Sequence, residues 1–315
     1  AAHPDRILLD FAGELYTYSD VDRLSTRLAH SFEALGVRAG QTVVTMLGNN
    51  IDAVVCWLAI NKLCAVSVPV NTALRGEFLR HQIADAGAAL VICEADFLPR
   101  IAAVSAELPE MKQVLYRNTL AEQVECAALL APLDAYRGDD DTPILTKPDP
   151  ADLACLVYTS GTTGPSKGCM LSYNFMCNLA RLQLRAGPAT ADDVTITPLP
   201  LFHMNALCVG IISNIMVGAR VAIVERFSVS NFWPEVERSG ATIASILGSM
   251  GGLLAQAADS DAMKRCIGQI HTVRGNPFTE PTKAIWRERF GARQVGGNGY
   301  GLTEACVVTS LAAGE

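Results

Sequence analysis

Apolar residues at Val21, Leu24, Leu28, Phe32 and Leu35 recur at helical spacing, with Ser19 and Asp22 placed like a capping box before them and Gly36 after them. The spacing predicts an amphipathic helix. Beyond it the pattern turns into short alternating blocks: residues 42–47 read as a strand, 51–63 as a helix, 65–68 as a strand, 77–86 as a helix and 89–93 as a strand. A polar, proline-bearing stretch over 137–152 interrupts this rhythm. The alternation then resumes with a strand at 153–158, a helix near 172–184, a strand at 193–197, a helix at 205–216 and strands at 220–224 and 242–246. A last helix over 280–290 has Thr279 as N-cap, Pro281 in its first turn and Gly291 beyond its end.

Strands and helices that alternate with short connections predict α/β architecture, in which helices cover both faces of parallel sheets. At 315 residues the chain is long enough for two subdomains. The polar stretch places them at 1–145 and 146–315.

Composition narrows this picture. Half of the residues are hydrophobic and 18% are charged, as in a packed globular protein. The formal net charge is −7 and no Lys/Arg cluster stands out, which argues against nucleic acid and anionic lipid as partners. Ten cysteines are scattered without a C-x-x-C pair and the five histidines lack H-E-x-x-H spacing, so buried reduced thiols are expected rather than disulfides or zinc. That expectation implies a reducing, cytoplasmic location. The longest apolar run, 206–219, is broken by Asn214 and too short for a membrane span. A start at Ala1 rather than Met implies a native amino terminus that was trimmed or lies upstream.

The main candidate for chemistry follows the strand at 153–158. Tyr158-Thr159-Ser160-Gly161-Thr162-Thr163-Gly164-Pro165-Ser166-Lys167-Gly168 puts hydroxyls, flexible glycines and a lysine at a strand's carboxyl end, where α/β sheets bind ligands. Thr159, Ser160, Thr162 and Thr163 can donate to phosphate oxygens, Gly161 and Gly164 let the main chain approach, and Lys167 adds positive charge. A Walker A loop would need Ser or Thr after the lysine, whereas Gly168 stands there. On composition alone a polar turn has equal standing.

The full string resembles T-S-G-[ST]-T-G-x-P-K-G, the signature of the adenylate-forming superfamily, which includes acyl-CoA synthetases, luciferases and peptide-synthetase adenylation domains. It departs from that signature at Ser166, where the family usually has proline before the lysine. Two further blocks follow in the family's order. Pro198-Leu199-Pro200-Leu201-Phe202-His203 resembles L-P-L-F-H, and Gly299-Tyr300-Gly301-Leu302-Thr303-Glu304 resembles Y-G-x-T-E. Arg274-Gly275-Asn276-Pro277 occupies the place of the family's adenine-holding turn, with Asn276 either bonding adenine or capping the turn. Amino-terminal segments such as Leu15-Tyr16-Thr17-Tyr18 and Val68-Pro69-Val70-Asn71 also read like family members.

The resemblance implies stacked αβαβα subdomains of the acyl-CoA synthetase-like amino-terminal domain, without the small carboxyl-terminal domain. It implies an AMP-forming acid–thiol ligase of fatty-acid metabolism type, using ATP, Mg²⁺ and coenzyme A, and it leaves a homodimer open. Catalytic roles fall to His203, Lys167, Thr303 and Glu304. Nucleotide contacts fall to the phosphate loop, to Gly275, Asn276 and Pro277, and to Gly299, Tyr300, Gly301 and Thr303. Mg²⁺ would lie near Glu304 and Thr159, and the acid pocket would include His203, Met204, Asn205, Gly248 and Gly297. The stretch Phe202-His203-Met204-Asn205 has no Asp to pair with an α-ammonium group, which favours an acid without one. Within the acyl-CoA branch, Pro200 to Ala206 and Ile246-Leu247-Gly248-Ser249-Met250 are similar to the carnitine and crotonobetaine ligases. Family members continue past this point to a ribose-binding aspartate and a small domain with a late lysine, so the chain is expected to be a truncated portion. The competing expectation is a non-catalytic nucleotide-binding or scaffold homologue.

Overall fold

The computed structural model describes residues 3–159, 164–296 and 299–310. The chain forms two compact units, one of Asp20–Phe175 and one of Ala1–Ser19 with Met176–Glu315.

In the Asp20–Phe175 unit, seven strands form one sheet in the order Leu129–Pro132, Gln113–Arg117, Leu90–Glu94, Thr42–Met46, Val66–Pro69, Leu153–Thr159 and Lys167–Ser172. Neighbours run parallel except for the last pair, an antiparallel hairpin. Parallel pairing needs crossover connections, and the helices Ile51–Lys62 and Gly76–Ala86 supply two of them. Local chemistry sets their ends. Asn50 accepts a hydrogen bond from the Ala53 amide at the start of the first, and Gly87, at φ 61°, closes the second in a left-handed conformation. One core cluster is aliphatic, built from Val44, Met46, Val68, Leu79, Ile83, Val91, Leu98, Ile101 and Val114. At one edge Arg117 bridges two poorly exposed carboxylates, with Nε 2.6 Å from Asp52 and Nη1 3.1 Å from Glu94, and Arg137 meets Asp52 at 2.7 Å.

The other unit holds a second sheet of seven strands, ordered Gln294–Val295, Thr272–Arg274, Ile243–Ser245, Val194–Thr197, Arg220–Ile223, Ile7–Phe11 and Glu14–Thr17. It is parallel apart from the antiparallel pair Ile7–Phe11 and Glu14–Thr17. One face packs on an aromatic cluster of Phe232, Trp233, Trp286 and Phe290, with ring centroids 4.9 Å apart for Trp233–Phe290 and Trp286–Phe290. The helix Glu280–Glu288 that carries Trp286 is capped by Thr279, whose side chain accepts from the Thr282 amide, as its sequence predicts. A separate hairpin pairs Gly299–Leu302 with Cys306–Ser310.

The sheets, not the polar stretch at 137–152, divide the chain. The expected boundary at 145/146 is replaced by one at 175/176 because Leu153–Thr159 pairs with Val66–Pro69 through Ser67 and Cys155. The strand Lys167–Ser172 follows it into the same sheet. The first residues cross over in the opposite sense, since Ile7–Phe11 pairs with Arg220–Ile223. The helix expected over 205–216 forms as a π-helix over Asn205–Ile212 followed by an α-helix over Ser213–Val217. Among the described residues no helix is long and apolar enough to cross a membrane, and Cys56, Cys64, Cys93, Cys126, Cys155, Cys169, Cys177, Cys208 and Cys266 are all free.

Candidate active site

The phosphate-type loop is the tip of the hairpin in the Asp20–Phe175 unit. Leu153–Thr159 leads into it, and the register closes with Tyr158 opposite Gly168 and Thr159 opposite Lys167. Lys167 and Gly168, read from sequence as part of the loop, therefore stand on its outgoing strand. Ser160, Gly161, Thr162 and Thr163 lie outside the described residues. Gly164 is exposed and Lys167 is exposed, while Thr159 is half-buried.

One face of the helix Gly76–Ala86 grips the outgoing arm. His81 Nε2 lies 2.8 Å from the Ser166 carbonyl oxygen, and Gln82 Nε2 donates to Ser166 Oγ at 3.0 Å. One turn on, Asp85 accepts from the Tyr158 hydroxyl at 2.7 Å. Burial and this carboxylate both push the Tyr158 hydroxyl well above its ordinary pKa, so it stays a donor. At Gly168 an added Cβ would come within 3.3 Å of the Tyr158 ring. Ser166, the position where the loop departs from the family signature, is thus the residue that this helix holds. Nothing in the sequence singled out His81, Gln82 or Asp85; their i, i+1, i+4 spacing gains meaning only once the helix is seen beside the hairpin.

The remaining candidates belong to the other unit. The strand Val194–Thr197 ends at Pro198, and a turn closed by the His203 amide on the Pro200 carbonyl, at 3.0 Å, presents His203 just before the π-helix. His203 keeps an open side to solvent while its ring lies 4.5 Å from that of Phe202. Partial desolvation lowers its pKa below 6.5, so the ring is a neutral donor and acceptor at pH 7. Met204 is half-buried and Asn205 exposed beside it. A π-helix at this point is the kind of irregularity found where function displaces regular geometry.

Two segments approach each other without room for side chains. A Cβ on Gly275, which sits at φ 150°, would fall 1.8 Å from the Ile246 carbonyl oxygen, and one on Gly248 would fall 1.5 Å from that of Pro277. Phe278 completes the contact, since a Cβ on Gly251 would lie 2.3 Å from its ring. Gly248, expected in the wall of an acid pocket, is packed on the Pro277 backbone. The turn of Gly275, Asn276 and Pro277 is therefore fixed against the start of the helix Gly248–Gln256.

Tyr300, Gly301, Thr303 and Glu304 belong to the separate hairpin. Gly299–Leu302 is a strand, and Glu304 sits in the turn closed by the Ala305 amide on the Leu302 carbonyl at 3.2 Å. Tyr300 is 57% exposed, which leaves its ring face available for stacking. Glu304 is exposed and Thr303 half-buried. Gly297 lies outside the described residues.

Mg²⁺ takes few protein oxygens and keeps water or phosphate oxygens for the rest. The exposed Glu304 carboxylate and the Thr159 hydroxyl are hard donors of that type, whereas no group of three or more His, Cys, Asp or Glu among the described residues could hold a metal ion by itself.

Two parallel-rich sheets flanked by helices define an α/β protein. The whole chain, residues 1–315, matches the family described as AMP-binding enzyme, and the chain belongs to that family. It is 30% identical to 4-coumarate–CoA ligase 5 of Oryza sativa subsp. japonica over 96% of this chain and 56% of that protein. It is 28% identical to the crotonobetaine/carnitine–CoA ligase of Salmonella arizonae over 94% of this chain and 57% of that one. Among solved structures, the anthranilate CoA ligase AuaEII in complex with anthranoyl-AMP superposes with a TM-score of 0.87 at 20% identity, covering 100% of this chain and 60% of that one. ATP-bound MatB from Rhodopseudomonas palustris gives 0.83 at 24% identity over 99% and 60%. The fold is that of the amino-terminal part of adenylate-forming enzymes, and the chain spans between a half and two thirds of the length of these relatives.

Proposed function

We propose that the chain supplies the nucleotide- and acid-binding part of an ATP-dependent acid–CoA ligase. The observation that carries this reading is the ordered occurrence of the phosphate loop, the His203 block and the Tyr300 to Glu304 block in a chain of the AMP-binding family. Each block is displayed at a strand end or hairpin turn where it can meet a ligand.

In this reaction a carboxylate oxygen of the acid bonds to the α-phosphorus of ATP, and the bond to the departing pyrophosphate breaks. The thiolate of coenzyme A then bonds to the acyl carbon, and AMP leaves. No protein nucleophile is needed. The work of the chain is to align the reactants and stabilise phosphate charge. Lys167 and the loop hydroxyls serve the phosphates, Tyr300 stacks on adenine, and Thr303 donates to the α-phosphate. Glu304 and Thr159 would hold Mg²⁺, which supplies Lewis-acid neutralisation of the phosphates when bound. His203, neutral at pH 7, donates to the acid's carboxylate and orients it.

Acid-dependent exchange of labelled pyrophosphate into ATP, measured on the protein that contains this chain with a panel of short, aromatic and medium-chain acids, tests the reading. Exchange with at least one acid is the expected result, and none with any acid overturns it. A second reading, nucleotide binding without turnover, is favoured for the 315-residue chain alone, because it covers 56% of its 4-coumarate–CoA ligase relative. Calorimetric titration of the chain with ATP, in parallel with the exchange assay, separates the two.

A further inference from the structure

The two faces of the Thr272–Arg274 sheet differ. One carries Ile196, Ala244, Val273 and Val295 against the aromatic cluster. On the opposite face the last inward positions of three adjacent strands are Thr197, Ser245 and Arg274. Ser245 pairs with Arg274, and Thr195 pairs with Ile243, so Thr197 lies two residues further on and on the same face. All three are buried, at 0%, 1% and 4% exposure. The π-helix that begins beside His203 covers this face, with Gly210 over the Thr197 methyl group. The end of the helix Tyr173–Ala186 covers the rest, and its following Gly187 carbonyl accepts from Arg274 Nη2 at 2.6 Å.

That bond uses one of the guanidinium's five N–H groups. Nε and Nη1 of Arg274 are also buried and have no hydrogen-bond partner. Burial pulls the Arg274 pKa down to about 10, with Asp193 opposing, so the side chain is still a cation at pH 7. Asp193 is engaged elsewhere, by the Thr190 amide, the Thr242 hydroxyl and His271 Nε2. Capping a helix end accounts for one donor. It does not account for two more that are buried and unpaired, nor for a buried cation to which no carboxylate is hydrogen-bonded.

We propose that Arg274 binds a second anionic group on the acid, so that the substrate class is dicarboxylic rather than fatty or zwitterionic. The proposal rests on the acid–CoA ligase reading above. A carboxylate fits the missing partner, because it supplies the counter-charge and accepts from several N–H groups at once. Thr197 and Ser245 line the same polar row and suit a carboxylate better than an alkyl tail. Acid rather than nucleotide is the source favoured, because the row lies under the helix Asn205–Ile212 that begins just after His203, the residue assigned to the acid's reacting end.

The test compares glutarate with valerate, and terephthalate with benzoate, in pyrophosphate exchange by the native protein, Arg274→Met and Arg274→Lys. The native protein is expected to favour the diacid in kcat/KM by at least about tenfold, as a site with a buried unpaired donor should. Arg274→Met is expected to reverse this preference by raising the monoacid and lowering the diacid, and Arg274→Lys to fall between. Preference for the monoacid in the native protein overturns the proposal, as does an equal loss for every acid in Arg274→Met or a rise in the KM for ATP alone. If Arg274→Met does not fold, the native panel and Arg274→Lys decide. A thermal-shift titration with glutarate and valerate, which needs no turnover, separates the two readings if exchange is absent. Stabilisation by glutarate that is reduced in Arg274→Lys upholds Arg274 as a carboxylate site, and no stabilisation of the native protein, or equal stabilisation of both, overturns it.

Discussion

The two units use the same plan and spend it differently. Each is a seven-stranded sheet, parallel but for one antiparallel pair at an edge. In the Asp20–Phe175 unit that edge hairpin carries the candidate phosphate loop, and the core cluster around Val44, Leu79 and Val91 is aliphatic. In the other unit the edge hairpin is Ile7–Phe11 with Glu14–Thr17, tied down by Arg238 on the buried Asp10 at 2.8 Å, and the core is aromatic. Its candidate chemistry comes instead from the carboxyl ends of the central strands and from a separate hairpin. The architecture is shared, so the difference in chemistry lies in which connections were decorated, as expected when function is grafted onto a scaffold.

The largest expected effect probes the aromatic core. Trp286 is fully buried and donates Nε1 to the Gly251 carbonyl at 3.1 Å. Trp286→Ala should cost about 4 kcal/mol. Hydrogen exchange should show protection lost in residues 176–296 and kept in 20–175; loss in both would mean that the units do not open independently.

Next comes a change in chemistry without a change in stability. Glu304→Ala should lower kcat/KM for MgATP by about a hundredfold in pyrophosphate exchange while leaving the melting temperature in place, since Glu304 is exposed in a turn. Activity equal to the native protein's would remove Glu304 from the nucleotide site.

Arg117→Met is the counterpart of the tryptophan change in the other unit. It leaves Asp52 and Glu94 facing each other with Arg137 on Asp52 alone. A loss of about 2 kcal/mol is expected, below that for a fully buried pair because Arg117 is 26% exposed. Urea unfolding with protection followed by hydrogen exchange should assign it to residues 20–175, and an unchanged midpoint would reduce the bridge to a surface pair.

The smallest effect is expected at Gln82. Its Nε2 bond to Ser166 is worth about 1 kcal/mol, and its buried Oε1 has no partner, so Gln82→Ala should barely move stability. It should raise the KM for ATP a few-fold through a looser outgoing arm. A drop in kcat with KM unchanged would show that the helix Gly76–Ala86 does more than position the loop.

Periodicity made much of this fold legible. The helices near residues 51–62, 76–86 and 280–288, and the central strands that they flank, followed from apolar spacing and caps. What escaped was decided by partners distant in sequence. Leu129–Pro132 is a short edge strand and Gln113–Arg117 the strand next to it, both with mixed burial, and Ile7–Phe11 is a strand because it meets Arg220–Ile223. The boundary between units was misplaced for the same reason, since which sheet receives Leu153–Thr159 is not written near it. In the site, the motif residues stood out by their chemistry, whereas Arg274 read as the first residue of a turn. Its burial depends on the register of Ser245 with Arg274, and only the assembled sheet supplies that.

The pairing of Thr159 with Lys167 also sets how the loop can change. Seven residues, 160–166, join two points already held one strand spacing apart. Closure entropy is therefore met on folding, and a nucleotide need not supply it. Because that entropy grows only as the logarithm of length, two inserted residues would add about 0.2 kcal/mol. Length is thus a weak constraint on this segment. What an insertion would spoil is the placement of hydroxyls and amides, so the loop should tolerate added residues in its stability long before it tolerates them in its affinity.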